Sequence, residues 1–316
     1  MRHITLPQWL DDYIYDELNI AYNPRPREVV LNPDQPYEFV RLYLGTYFPR
    51  SYAEAYCIVN SLLNNPQYYQ RLSVKDELYL LDIFCGTGGE IIGAICALCS
   101  RLPNLQRIYI ESYDANIEAI RFLYHVTEKL NLNIPNKAIY INPLQFYIDN
   151  EQNFRDLLSI INNTYDFILC FKAINEFVQQ QIFNTPYSLI SRGLLPKLSA
   201  NGLFILTDVT TPVTINNITS YYPQIMNDQL NSLLRENDDY ATLVPYACRA
   251  HENECNGCYM QDIFYVTHRY KQNDISKLVY RIIGRSKLVN NISINTQHLC
   301  RYNSPTADRH TPYCKF

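Results

Sequence analysis

Short apolar runs and longer amphipathic stretches alternate through the middle of the chain. Runs such as "FILCF" and "LFILT" are apolar at successive positions, as in strands buried on both faces of a parallel sheet. Apolar residues between them recur at helical spacing. The alternation predicts an α/β fold with a Rossmann-like, doubly wound and mostly parallel sheet. The predicted strands are 78–84, 107–113, 138–142, 165–171 and 203–208, and the predicted helices are 89–99, 117–130, 154–162 and 186–198.

The pattern changes on both sides of this core, which predicts three segments. Residues 1–74 form a helical N-terminal arm, 75–210 the core, and 211–316 a C-terminal β extension that contains a Cys-rich loop. In the arm, Ser51 followed by Glu54 fits a capping box and predicts a helix that starts at Ser51. Further elements are predicted at 9–18, 51–63 and 225–234 (helices) and at "DIFYVTH" and "KLVYRIIG" (strands).

The composition is that of a folded protein. The 316 residues are 47% hydrophobic and 18% charged, which suits a sizeable core and excludes a disordered chain. The first residues lack the apolar stretch of a secretion signal, and no run reaches the roughly 18 apolar residues of a membrane span. We therefore expect a soluble, cytoplasmic protein with no membrane partner. The sequence does not indicate its oligomeric state.

The segment "YLLDIFCGTGGEII" contains three of the nine glycines within four positions. A strand, a glycine turn and a helix start form a site for nucleotide-like ligands, because the bare backbone lets a ligand approach closely. A dinucleotide fits poorly, since Ile91 occupies the third small position and Glu90 lies where a pyrophosphate would bind. No Gly-Lys-Ser/Thr follows, which excludes a P-loop. The cationic S-adenosylmethionine suits the acids Asp82 and Glu90.

The segment "LLDIFCGTGGE" resembles the first motif of the class I S-adenosylmethionine-dependent methyltransferases, an acid followed by x-Gly-x-Gly-x-Gly, with Phe84 in place of the first Gly. Four more stretches resemble later motifs in the same order: "IYIESYDANIEAIRF", "IYINPLQF", "YDFILCFKAINEF" and "LLPKLSANGLFILTDVT". The resemblance covers about residues 75–210 and implies a methyltransferase. The cofactor-binding residues that it implies are Asp82, Phe84, Gly86, Gly88, Asp114 (on the ribose), Asn142 or Gln145 (near the adenine) and Phe171.

The loop after the fourth motif strand corresponds to the active-site loop of that family. Its polar residues Lys172, Asn175 and Glu176 are the candidates for catalysis, and the alternative is a solvent-facing helix start. The loop lacks the Asn-Pro-Pro-Tyr-type signature, which argues against amine methylation of adenine or cytosine. Segments before the core often close over the cofactor in this family, so the arm also offers Tyr47, Arg50 and Tyr52.

The segment "ACRAHENECNGC" predicts a metal site. Cys248, His251, Cys255 and Cys258 are spaced closely enough to grip one zinc ion, and an iron–sulfur cluster is the alternative. The zinc would be structural and would hold a small β module, "DIFYVTH" plus "KLVYRIIGRSK", against the core. The earlier cysteines lie in or beside apolar stretches, which predicts buried free thiols at Cys57, Cys85, Cys96, Cys99 and Cys170.

Charge is distributed unevenly along the chain. The net charge is −4, but residues 264–316 carry nine basic and two acidic residues, a balance of +7. A basic, Tyr-bearing extension predicts a nucleic-acid acceptor, RNA or DNA, and the alternative is an ordinary solvated face. The acidic pI of 5.9 favours a small-molecule or protein acceptor instead. Phe84 at a glycine position leaves a further alternative, a non-catalytic methyltransferase-like assembly factor.

Overall fold

The fold is described from a computed structural model, which describes residues 2–24, 37–250 and 258–293. The strands are β1 (His3–Thr5), β2 (Glu77–Ile83), β3 (Arg107–Asp114), β4 (Ala138–Gln145), β5 (Tyr165–Phe171), β6 (Leu198–Val209), β7 (Pro212–Ile215), β8 (Ile218–Tyr221), β9 (Tyr240–Val244), β10 (Asp262–His268) and β11 (Lys271–Arg285). The helices are α1 (Gln8–Asp12), α2 (Tyr37–Thr46), α3 (Phe48–Leu62), α4 (Pro66–Ser73), α5 (Gly89–Arg101), α6 (Ile117–Asn133), α7 (Glu151–Ile160), α8 (Ile174–Gln179), α9 (Pro186–Leu194), α10 (Tyr222–Arg235), α11 (Tyr246–Ala250) and α12 (Ser286–Asn290).

The predicted fold class is confirmed. Strands and helices alternate from β2 to β6, and the strands that this alternation joins pair in parallel as β2–β3–β4 and as β5–β6. This is the α/β, Rossmann-like arrangement with a mostly parallel sheet. The described residues within 1–147 and 264–276 form one compact unit, and those within 148–263 and 277–316 form a second. The three segments 1–74, 75–210 and 211–316 stay a prediction.

The first unit is built on β2, β3 and β4. Their register sets Leu80 beside Ile110, and both side chains are buried. The other face carries a row of stacked tyrosine rings, Tyr79, Tyr109 and Tyr140, with centroids 5.0 and 5.1 Å apart. The short strand β1, which the sequence pattern does not predict, pairs in parallel with β10.

The second unit is built on β5 and β6. Every residue of β5 is buried, as expected for a parallel strand covered on both faces. Strand β11 runs antiparallel beside β6, and β9 runs antiparallel beside β11. Arg281 of β11 is 1% exposed and donates a 2.5 Å hydrogen bond to Asn227 Oδ1 and a 3.2 Å bond to the carbonyl of Tyr280.

Two predictions about the flanking segments need correction. The helix expected from Ser51 begins at Phe48, so Ser51 is a buried residue inside α3 and not its N-cap. Pro49 in the first turn favours the earlier start, because its fixed φ suits a helix and its missing N–H has no partner there anyway. "KLVYRIIG" is a strand as predicted, but it extends the β5–β6 sheet instead of forming a separate β module.

The cysteine prediction is confirmed for free thiols. Cys57, Cys85 and Cys170 are buried, and Cys96 and Cys99 are half-buried in α5. Within residues 2–24, 37–250 and 258–293, no helix combines the length and the apolar character needed to cross a membrane.

Candidate functional site

The glycine turn between β2 and α5 has a left-handed backbone at three positions. The φ angles are 66° at Phe84, 47° at Gly86 and 79° at Gly88. The family pattern has a glycine where this chain has Phe84, and Phe84 adopts a left-handed conformation that glycine tolerates more easily. The N–H groups of Phe84 and Cys85 both donate to the carbonyl of Tyr113, at 2.8 and 3.1 Å. The turn is therefore fixed to the end of β3.

Asp114 makes the second link between the turn and β3. It is the last residue of β3, as the resemblance implies, and it is half-buried. Its Oδ2 accepts a 2.7 Å hydrogen bond from the Gly86 N–H, and its Oδ1 accepts a 2.8 Å bond from the Asn116 N–H. Burial raises the pKa of Asp114, and the bonds from Asn116 and Gly86 counter that rise. Each carboxylate oxygen keeps a lone pair for a ligand hydroxyl.

Asp82 lies in β2 beside Ser112 of β3 and is fully buried. With the neighbouring acids ionised, no hydrogen bond from the described residues reaches either of its oxygens. Burial holds the pKa of Asp82 well above its ordinary value, and the charges of Glu90 and Asp114 and hydrogen bonding with Glu90 raise it further. A buried carboxylate with no cation is costly, so this position favours a proton or a cationic ligand.

The glycines of this region do not all serve a ligand. A Cβ on Gly88 would lie 2.3 Å from Leu123 Cδ1 of α6. A Cβ on Gly89 would lie 2.6 Å from the Phe48 carbonyl oxygen, and one on Gly93 would lie 2.2 Å from that of Tyr52. Both carbonyls belong to α3. Gly89 and Gly93 therefore permit the close packing of α5 on α3, whereas Gly86 and Gly88 shape the turn.

The two adenine candidates occupy different places on β4. Gln145 is the last residue of β4 and pairs in register with Asp114. Its side-chain amide donates a 2.8 Å hydrogen bond to the Ala115 carbonyl. Asn142 is exposed, lies three residues earlier and pairs with Glu111. Gln145, more than Asn142, shares the carboxyl edge of the sheet with Asp114.

The predicted catalytic residues lie together in the second unit. Phe171 ends β5 and is buried, Lys172 has a left-handed φ of 53°, and α8 begins at Ile174. The Lys172 N–H donates to the Thr207 carbonyl at 3.0 Å. Lys172, Asn175 and Glu176 are all half-buried.

Asp208 organises this loop, a role that our sequence analysis did not assign. It is fully buried near the end of β6, and its Oδ2 accepts bonds from the Tyr187 hydroxyl (2.7 Å) and the Asn175 N–H (2.8 Å). With the Asn175 amide nitrogen turned toward it, that side chain donates to Asp208 Oδ1 and to the Lys172 carbonyl. Burial raises the pKa of Asp208 to about 7 against the lowering effect of these bonds. The sequence feature that could have identified Asp208 is its position, as an acid at the end of the apolar run "LFILTD".

The arm residues Tyr47, Arg50 and Tyr52 lie at the start of α3 or inside it. The Arg50 guanidinium makes two hydrogen bonds to Asp274, at 2.8 and 2.9 Å, and lies 5.5 Å from the centre of the Tyr47 ring. Burial opposes ionisation of Asp274, but the His268 ring, whose Nε2 lies 3.8 Å from Asp274 Oδ2, and the hydrogen-bonded Arg50 guanidinium lower its pKa to about 2. Tyr52 is 1% exposed.

Only part of the predicted metal site can be described. Cys248 of α11 and Cys258 are buried, and His251 and Cys255 lie outside the described residues. Within the described parts of the chain, no group of three or more His, Cys, Asp or Glu side chains could hold a metal ion. The zinc site therefore stays a prediction.

No protein-family model matches the sequence, and no curated protein matches it. Several solved methyltransferase structures are similar in fold. The plantazolicin methyltransferase BpumL, in complex with S-adenosylhomocysteine, has 13% identity over 87% of this chain and 93% of its own, with a TM-score of 0.39. A Listeria monocytogenes protein assigned to the class I S-adenosylmethionine-dependent methyltransferases has 11% identity over 77% and 62%, with a TM-score of 0.42. CalS10, an amino pentose methyltransferase from Micromonospora echinaspora, has 18% identity over 52% and 55%, with a TM-score of 0.29.

The strands and helices from β2 to β6 follow one another along the chain in the order of the five motif-like stretches.

Proposed function

We propose that this protein is an S-adenosylmethionine-dependent methyltransferase. The observation that carries the proposal is the hydrogen bond between the Gly86 N–H and Asp114 Oδ2, which joins the glycine turn to the carboxylate at the end of the next strand. The resemblance assigns these two elements to the amino-acid end and the ribose of one ligand. Their direct contact supports a single binding site for that nucleoside.

The residues of this unit fit the cofactor by charge and by hydrogen-bonding capacity. The half-buried carboxylate of Asp114 accepts from the two ribose hydroxyls with its remaining lone pairs. The acids Asp82 and Glu90 favour the positive charge of the amino-acid end. The bound cofactor supplies an electrophilic methyl group, and the protein's task is to align an acceptor in line with it. The resemblance gives the acceptor side to the loop of Lys172, Asn175 and Glu176.

Calorimetric titration with S-adenosylhomocysteine tests the donor site. Wild type should bind, and Asp114→Ala should bind at least about tenfold more weakly, since it loses hydrogen bonds to a charged acceptor that are each worth about 1.5–3 kcal/mol. Glu111→Gln is the matched control, because Glu111 lies three residues earlier in the same strand and away from the turn. The proposal fails if wild type does not bind or if Asp114→Ala binds as tightly as wild type.

A nucleic-acid acceptor draws limited support from the described residues. Of the basic residues from 264 onward, Arg269 pairs with Asp11, Asp12 and Asp16. Arg281 is buried, and Arg285 donates to the Leu198 carbonyl at 2.8 Å. These three arginines make contacts inside the protein. A nucleic-acid acceptor would still give RNA or DNA binding that weakens steeply between low and moderate salt, and binding without salt dependence would exclude contact through phosphates.

The non-catalytic alternative depended on Phe84. Phe84 has a left-handed φ of 66°, a conformation that glycine would adopt more easily. Transfer of a labelled methyl group from S-adenosylmethionine to any component of a cell extract would exclude the alternative.

We also propose that Cys248 and Cys258 contribute to a structural zinc site together with His251 and Cys255. The close spacing of these four residues in the sequence supports this proposal. Purified protein should contain about one zinc per chain, and Cys258→Ser should contain less. If elemental analysis finds neither zinc nor iron at a stoichiometric level, the proposal of a metal site is wrong.

A further inference from the structure

Asp82 and Glu90 place two buried carboxyl groups beside the glycine turn. Asp82 is 0% exposed on β2, and Glu90 is 5% exposed in the first turn of α5. Two ionised carboxylates can only accept hydrogen bonds, so these groups can bond to each other only by sharing a proton. Among the described residues, the titratable groups that act on Asp82 are Glu90 on α5, Asp114 on β3 and the Cys85 thiol in the turn, and none of these three is basic.

We propose that the Asp82–Glu90 pair holds one proton while the site is empty and releases it when the ammonium group of the nucleoside ligand binds. This inference rests on the proposed function, because it assigns that proton to the same site. The pair then acts as a selectivity device. It disfavours a nucleoside with no positive charge at the amino-acid end, and it makes the affinity for the cationic ligand depend on pH.

Three observations support the assignment. Neither oxygen of Asp82 has a hydrogen-bonding partner in the described parts of the chain when its acidic neighbours are ionised. A buried carboxylate without a counter-charge favours its protonated form. Burial and the nearby charges of Asp114, Asp82 and Glu90 raise the pKa of the Cys85 thiol well above its ordinary value. The thiol therefore stays neutral and does not compensate the charge of the two acids.

Asp114 must be distinguished from the pair, because burial also raises its pKa. Two backbone N–H groups already donate to Asp114, whereas none among the described residues donates to Asp82. A proton released by ribose binding at Asp114 would appear with any ligand that carries the ribose. A proton released from the Asp82–Glu90 pair would appear only with a ligand that carries the ammonium group.

Calorimetry in two buffers of different ionisation enthalpy counts the protons. At pH 6.5, S-adenosylhomocysteine should release close to one proton from wild type, and its affinity should rise by up to tenfold for each pH unit while the pair is protonated. 5′-Methylthioadenosine, which keeps the ribose and the sulfur but lacks the amino-acid group, should bind without proton release. Asp82→Asn and Glu90→Gln should each bind S-adenosylhomocysteine with little proton release, and Glu111→Gln should behave as wild type.

Each outcome decides a separate question. Binding of S-adenosylhomocysteine with no released proton would overturn the inference and leave the proposed function intact. Equal release with 5′-methylthioadenosine would also overturn it, because the proton would then come from elsewhere. If neither ligand binds to wild type, the proposed function itself is wrong. If Asp82→Asn does not fold by circular dichroism, the comparison of the two ligands on wild type still decides the question, and Glu90→Gln supplies the variant.

Discussion

Gly93→Ala should destabilise this protein, against the expectation from helix propensity. Alanine in the interior of a helix is normally more stable than glycine by about 1 kcal/mol. Gly93 lies in the middle of α5, and a Cβ there would be 2.2 Å from the carbonyl oxygen of Tyr52, 2.9 Å from its carbonyl carbon and 3.0 Å from its Cα. These atoms are backbone of α3, so a side-chain rotation cannot relieve the contact.

The expected magnitude follows from the separation that the methyl group requires. Non-bonded carbon atoms pack at about 3.5–4.0 Å, so α3 and α5 must move apart by about 1 Å. A gap of about that size removes roughly a quarter to a half of the van der Waals energy of each contact between the two helices. Overpacking usually costs about 1–3 kcal/mol, and a rigid backbone neighbour places this site at the upper end. After the gain in propensity, a loss of about 2 kcal/mol remains. With an unfolding entropy of about 2 cal/mol/K per residue, the melting temperature of a chain of this length should fall by about 3 °C.

Urea denaturation followed by circular dichroism measures this change, and Gly193→Ala is the control. A Cβ on Gly193 would lie 2.6 Å from Leu158 Cδ1 and 2.9 Å from the Phe154 ring, and these are side-chain atoms that can shift. Gly193→Ala should therefore cost less than Gly93→Ala. An unchanged or higher midpoint for Gly93→Ala would refute the close packing of α3 on α5.

Three further predictions concern single side chains. Asp274→Asn should lower the free energy of unfolding by about 2 kcal/mol at pH 6; because the pKa of Asp274 is lowered to about 2, this difference should shrink as the pH of the urea titration falls from about 4 toward 2. Phe84→Gly should be about 1 kcal/mol more stable than Phe84→Ala in thermal melts, because only glycine relieves the left-handed backbone. Tyr187→Phe removes the hydrogen bond to Asp208 and should lower the free energy of unfolding, measured by urea denaturation, by about 1.5–3 kcal/mol at pH 8. The loss should be smaller at pH 6, because the carboxyl of Asp208 has a pKa of about 7 and is protonated there.

Local patterns predicted the strands that form the core of each unit. The apolar run before Asp82 and the stretch that ends at Asp114 are strands because an apolar run between turn signals has few other stable outcomes in an α/β chain. The same reasoning placed both acids at the glycine turn, because neighbouring parallel strands bring their carboxyl ends to one edge of a sheet. For Asp114, the hydrogen bond from the Gly86 N–H shows this position directly.

Long-range partners left no such signal. Arg50 and Asp274 are 224 residues apart, and nothing near either residue indicates the other. The pairing of β11 with β6 is equally remote, which is why the sequence suggested a separate β module. Gly89 was misinterpreted for a related reason, since a glycine that permits close packing of a neighbouring helix looks the same in sequence as one that permits close approach of a ligand.

Three acids show how different partners give one residue type different roles. Asp82, Asp114 and Asp208 each lie at or near the end of a strand, so sequence position alone does not separate them. Asp208 accepts from the Tyr187 hydroxyl, the Asn175 N–H and the Val209 N–H, which uses most of its capacity and suits a residue that holds a loop in place. Asp114 accepts from two N–H groups and keeps lone pairs, whereas Asp82 accepts from none among the described residues. A buried carboxylate can exchange a proton for a ligand only where hydrogen bonds within the protein do not already occupy its oxygens. The unused hydrogen-bonding capacity therefore makes Asp82 the strongest candidate for a ligand-binding residue, Asp114 the next and Asp208 the weakest.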